Sequence, residues 1–192
     1  MLRDPVTFRT AGPADAPAVA ALHANSWRRH YRGAYADAFL DVAADDYLAA
    51  LWTQRLTAPT APACTVLAEQ DGELVGLAHT IFDDDPTWGA LLDNLHVRSA
   101  LKRQGIGTSL LARTADALRR RSPSSGLYLW VLELNTAAQA FYSARGGERV
   151  ERAGVPAPGG NPGWLDGTPA CFRYAWRDPA VLVAQTRTAM PG

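Results

Sequence analysis

Hydrophobic positions along the chain change period several times, and each change marks an element. Alternation in VTFRT (6–10) predicts a strand, which Gly12-Pro13 breaks before an alanine-rich helical stretch from about Asp15 to Ser26. A second helical run, near Asp45 to Thr57, carries Tyr47, Leu48, Leu51, Trp52 and Leu56 at helix spacing. It ends at TAPTAP, because proline cannot continue a helix. CTVLAEQDGELVGLAHTIF predicts two antiparallel strands turning at Asp71-Gly72. DDDPTWG (83–89) reads as a turn and ALLDNLHV (90–97) as a further strand. LKRQGIGTSLLARTADALRR (101–120) opens as a basic loop and becomes a helix near Gly105, with Ile106, Leu110, Leu111, Ala117 and Leu118 on its inward stripe. GLYLWVL (126–132) is apolar almost throughout, as in a strand covered on both faces within a parallel sheet. NTAAQAFYSARGG predicts a short helix with Asn135 as N-cap and Gly146 as terminator. ERVERA (148–153) and ACFRYAW (170–176) complete the strands around a Gly/Pro-rich loop, and a polar, alanine-containing tail follows from Asp178.

Strands alternating with helices place the chain in the α/β class, and its length suits one domain, taken as 1–177 with 178–192 as a tail. Charge then narrows the partners. Lys plus Arg (19) cancels Asp plus Glu (19), so no broad field recruits nucleic acid or an anionic membrane. The N-terminus MLRDPVTFRT has no apolar run of signal-peptide length, nowhere are there eighteen consecutive apolar residues, and the expectation is a soluble, cytoplasmic protein. Cys64 and Cys171 lack metal-site spacing and read as reduced packing residues, so no metal is expected.

The loop before the 106–120 helix is the strongest chemical signal. Backbone N–H groups at a helix N-terminus lack intrahelical acceptors, Gly105 and Gly107 let an oxygen-rich group approach, and Lys102 and Arg103 add positive charge. A diphosphate suits such a site. Taken alone, the glycines equally suit a tight strand-to-helix turn. The spacing fits neither GxxxxGK[ST] nor GxGxxG.

LHVRSALKRQGIGTSLL resembles the acetyl-CoA signature of the GNAT N-acetyltransferase superfamily, Q/R-x-x-G-x-G/A, falling on Lys102, Gly105 and Gly107. Lys102 stands where the family usually has Gln or Arg. NTAAQAFYSARGGE resembles the family's later segment, N-x-x-A-x-x-F-Y-x-x-x-G-F, with Asn135, Ala138, Phe141, Tyr142 and Gly146 in place and Gly147 replacing an aromatic. The resemblance implies a mixed central sheet of about six or seven strands flanked by helices, with a splayed pair of parallel strands at the CoA site. It implies acetyl-CoA as co-substrate, held by Leu95, His96 and Val97 along the strand, by Lys102, Arg103, Gln104, Gly105, Ile106, Gly107 and Thr108 in the loop, and by Asn135 and Tyr142. Homodimers, common in the superfamily, are also implied.

Transfer of acetyl from a thioester to an amine needs a proton for the departing thiolate and a group to deprotonate the ammonium. Tyr142 is the candidate acid, since a phenol's reference pKa is near that of an alkyl thiol. For the base the sequence offers Asp93, Glu133 and His96, or a water chain. Alternation on a regular strand would put Asp93 and His96 on opposite faces. His79 reads as a structural histidine. Trp27, Tyr31 and Tyr35 are candidates to wall the pocket of a small-molecule amine or peptide acceptor, with Arg28 or Arg32 pairing an acceptor carboxylate. The 83–85 aspartates could attract a cationic amine or form an exposed turn, and Trp164 and its loop could close over the acceptor. The expected activity is direct N-acetylation. Rival readings are another acyl group or an alcohol acceptor on the same fold, and a regulatory acyl-CoA-binding module without turnover.

Overall fold

Asp71 and Gly72 both take positive φ (54° and 75°), the geometry of a two-residue hairpin turn, and from it β2 (Ala63–Gln70) and β3 (Glu73–Asp85) run antiparallel. A computed structural model describes the chain over residues 4–123 and 125–187. The hairpin lies in a seven-stranded mixed sheet. β1 (Thr7–Thr10) flanks β2, and β4 (Gly89–Val97) lies antiparallel to β3. β5 (Leu127–Leu132) is parallel to β4, and β7 (Ala170–Trp176) separates β5 from the edge strand β6 (Glu148–Gly154), giving the order β1-β2-β3-β4-β5-β7-β6.

Each face carries its own core. On one, α1 (Ala16–His30), α2 (Ala44–Thr57) and the π-helical turn before α2 (Phe39–Ala43) bury Val19, Phe39, Leu40, Leu48 and Trp52 against Leu67 and Leu77 of the sheet. On the other, α3 (Ile106–Arg121) and α4 (Thr136–Ser143) cover Leu92, Leu127, Leu129 and Val131. Leu110, Leu111 and Leu118 of α3 are almost wholly buried, each contributing about 1.5–3 kcal/mol of transfer free energy. No described helix is long and apolar enough to cross a membrane.

Several boundaries differ from expectation. α1 continues to His30 because Trp27 is drawn into the aromatic packing of His23, Tyr35 and Phe39. β3 runs through the three aspartates to the Asp85–Gly89 pair, shortening the expected turn to 86–88. β5 pairs β7 antiparallel along its full length but touches its parallel neighbour over only two residues. The segment from Asp178, expected as a tail, forms α5 (Ala180–Arg187), whose Leu182 is buried in the core beside α3. Residues 188–192 lie outside the described residues.

Candidate active site

β4 and β5 pair only at Ala90–Leu127 and Leu91–Tyr128, then part. Beyond that point β4 stays bonded to β3 and β5 to β7, so backbone groups on the facing edges of Leu92–Val97 and Leu129–Leu132 line an open wedge. Such groups can hydrogen-bond an extended ligand. Asp93 is an unpaired extra residue in β4, between Leu92 (opposite Thr80) and Asn94 (opposite His79). A bulge re-aims side chains. Arg55 of α2 accordingly holds both neighbours, with Nη2 2.7 Å from Asp93 Oδ2 and Nη1 2.8 Å from Asn94 Oδ1. The expectation of regular alternation around Asp93 is therefore corrected. Arg55 is itself steadied over the Trp52 ring, whose indole N–H donates to His23 Nδ1 at 3.0 Å.

The turn after β4 has an irregular backbone. Arg103 and Gly105 both adopt positive φ (64° and 83°), a conformation that glycine accepts readily and arginine only under constraint. The Gly105 carbonyl accepts the Ser109 N–H at 2.9 Å, which leaves the N–H groups before Ser109 without helical acceptors. Lys102, Arg103 and Gln104 are exposed, and a β-carbon on Gly105 would meet open space. Lys102 Nζ lies 2.8 Å from His30 Nε2 at the end of α1. Thr108 Oγ1 accepts from Arg145 Nη2 at 3.0 Å, Ile106 is buried, and Gly107 faces Val97 and Phe141. Together these groups suit an oxygen-rich anion.

α4 starts at the end of β5, where Asn135 Oδ1 accepts the Ala138 N–H at 3.2 Å and caps the helix. On this helix Tyr142 is buried among Phe141, Tyr174 and Trp176. Burial, with a smaller contribution from Tyr31, pushes its phenol above the ordinary value, so the hydroxyl stays protonated at every physiological pH. Tyr31 is pushed up to about 12 by burial and by Asp93, and Tyr35 is raised by burial and by the Tyr31 phenol. Trp27 packs against both tyrosines. Tyr31, Tyr35, Asp93, Tyr142 and Cys171 thus share one electrostatic neighbourhood.

The other candidates are occupied differently. Glu133 is half-exposed and paired to Arg152 Nη2 at 2.7 Å, which holds its carboxyl below the usual range. His96 is buried and lowered to about 4 by desolvation, with Nδ1 2.9 Å from Ser26 Oγ. His79, also lowered to about 4 by burial, meets Thr65 Oγ1 at 2.7 Å as a core histidine. Arg28 pairs with Asp45, and Arg32 with Asp37 and Asp41, so both arginines already have carboxylate partners within the chain. Asp83, Asp84 and Asp85 contact Arg121, Tyr128 and Arg173 respectively. Trp164 stacks on Phe39 with ring centroids 4.4 Å apart, and its carbonyl accepts the Ala36 N–H at 3.0 Å. That contact joins the β6–β7 loop to the Tyr31–Tyr35 segment, reinforced by Asp166 N–H to the Ala34 carbonyl at 2.9 Å.

Sequence reasoning missed Arg55 and His30, whose partners lie far away along the chain. Only the helical phase of Arg55, three residues after Trp52, carries a local hint.

Comparison with known proteins converges on one family. A probable N-acetyltransferase, Rv2775, of Mycobacterium tuberculosis is 29% identical over 142 residues, covering 73% of this chain and 78% of its own. An uncharacterized N-acetyltransferase, YuaI, of Bacillus subtilis is 28% identical over 172 residues, covering 84% and 94%. Among solved structures, the PaiA N-acetyltransferase of Thermoplasma acidophilum in complex with coenzyme A shares the fold, with a TM-score of 0.66 at 15% identity, over 90% of this chain and 100% of that one. The acetyltransferase (GNAT) family pattern matches residues 24–146, a span holding the wedge, the turn 102–107 and Tyr142, and the chain belongs to that family.

Proposed function

We propose that the protein moves an acetyl group from acetyl-CoA directly to a primary amine of a small molecule or peptide. One observation carries this reading: the β4–β5 wedge opens where α3 and α4 begin, with the basic glycine turn 102–107 beside it and a buried phenol on α4. The residues fit the co-substrate. Lys102, Arg103 and the N–H groups of 105–108 receive the diphosphate, and the free backbone of Leu95, His96 and Val97 pairs the pantetheine amide. The N–H of Val97 or its neighbour stabilises the oxyanion that forms as nitrogen attacks.

Tyr142 donates its proton to the departing sulfur. Its raised pKa makes full transfer costlier than a solvated phenol would, but keeps the donor charged with its proton. Asp93 receives the ammonium proton through water, standing at the β4 bulge and fixed by Arg55. Both carboxylates are ion-paired at 2.7 Å, Glu133 to Arg152 and Asp93 to Arg55, and Asp93 is preferred because it stands on β4 at the wedge and shares the electrostatic neighbourhood of Tyr31 and Tyr35. Trp27, Tyr31 and Tyr35 wall the acceptor pocket. Asn135 contributes by fixing the start of α4.

Purified protein incubated with acetyl-CoA and a panel of amines, amino acids, antibiotics and peptides tests the reading by release of free thiol. Acceptor-dependent release supports it and names the acceptor class. Tight CoA binding with no release across the panel would favour a module without turnover, and absent binding would reject the wedge assignment.

A further inference from the structure

Lys102 and His30 meet at 2.8 Å from different elements, one in the turn before α3 and the other closing α1. A lysine ammonium only donates, so His30 accepts through Nε2 and carries its hydrogen on Nδ1. Arg29 adjoins His30, and Arg103 follows Lys102. Among the described residues, none of these four groups has a carboxylate within ion-pair distance. Arg29 has only the amide oxygen of Asn25, at 3.3 Å. Arg98, just before the turn, is by contrast paired with Glu73 at 3.0 Å.

The cluster is under mutual repulsion. Burial, Lys102 and Arg29 lower the His30 pKa, while burial and Arg29 lower that of Lys102. His96 of β4 lies in the same field, held neutral mainly by its own burial. Basic residues suit the C-terminal end of α1 through the helix dipole, but that does not account for a lysine from another element. An anion placed among the four groups would relieve the repulsion.

We propose that the last turn of α1 is a second wall of the diphosphate site, with Arg29 and His30 gripping the anion opposite α3 and His30 taking up a proton from solvent as the ligand binds. The proposal rests on the acetyl-CoA reading and extends it beyond the turn itself. The diphosphate draws the Lys102 ammonium away from His30 Nε2, which then protonates and donates to a phosphate oxygen. An acceptor carboxylate could use the same chemistry, and the test separates the two.

Dephospho-CoA, whose diphosphate does not titrate near neutrality, is titrated calorimetrically into the whole protein from about pH 5.5 to about pH 8, in buffers of different protonation enthalpy. Wild type is expected to take up protons on binding, with affinity falling as pH rises, by at most about tenfold per pH unit. His30→Gln should bind roughly tenfold more weakly at the acid end and without proton uptake. His30→Arg should keep acid-end affinity while losing the pH dependence, a pattern that a folding defect would not give. Wild-type binding without proton uptake, or His30→Gln matching wild type at every pH, would overturn the proposal. So would a His30→Gln variant with unchanged dephospho-CoA binding but a raised KM for a carboxylate-bearing acceptor, which would place the acceptor's anion there. Failure of wild type to bind CoA at all refutes the acetyl-CoA reading itself, before any variant is compared.

Discussion

At the scale of single residues, Tyr142 gives the sharpest expectation. Tyr142→Phe removes one hydroxyl from a packed ring, so kcat should fall about 100-fold while CoA affinity stays within a factor of about two. Stopped-flow thiol release and calorimetry would check the two halves separately, and unchanged kcat would reject the assigned role. Gly147 shows how a residue can be understood only through its neighbour. The family resemblance puts an aromatic at this position. A β-carbon on Gly147 would instead lie 2.7 Å from the Trp176 ring, whose indole N–H donates to the Arg145 carbonyl at 2.9 Å. Trp176 fills the space from another strand. Gly147→Ala should therefore destabilise by about 1–3 kcal/mol in urea unfolding, through overpacking.

At the scale of elements, the α1–α2 layer sets a pH dependence. His79 and His96 sit in its interface with the sheet, and both have folded-state values near 4 against an unfolded value near 6.5. Between those limits the unfolded chain binds more protons, so stability is full above about pH 6.5 and falls as pH drops toward about 4. Each histidine accounts for roughly 3 kcal/mol of that loss. Unfolding free energies across this range should show the slope, and His79→Gln should flatten it. The cap of α4 is a smaller effect: Asn135→Ala should cost about 1 kcal/mol. These elements were largely legible in the sequence because their signals are local, such as Asp71-Gly72 for the hairpin and Asn135 for the cap. The bulge at Asp93 was not, since it is defined by register against His79 and Thr80 on β3. Nor was α5, whose short apolar run 180–184 sits among polar residues and suggests a tail, although Leu182 and Val183 pack on the core beside α3.

At the scale of the molecule, the sequence indicated the fold class through the order of its periods and the two motifs in register. The site was legible only in part: the turn 102–107 announces itself, whereas Arg55 and His30 enter through contacts that no local pattern encodes. The wedge has a further consequence. Because β4 and β5 share just two residue pairs, β1–β4 and β5–β7–β6 form two hydrogen-bonded ladders meeting at a narrow seam. Amides of Leu92–Val97 and Leu129–Leu132 that face the seam should exchange with deuterium far faster than their neighbours bonded to β3 and β7. A bound pantetheine arm would supply their missing partners. CoA at 100 times its Kd should raise stability by about 2.7 kcal/mol, with slowed exchange concentrated along this line. The co-substrate would then act as a transient eighth strand, sewing the two halves of the sheet together for the length of each turnover.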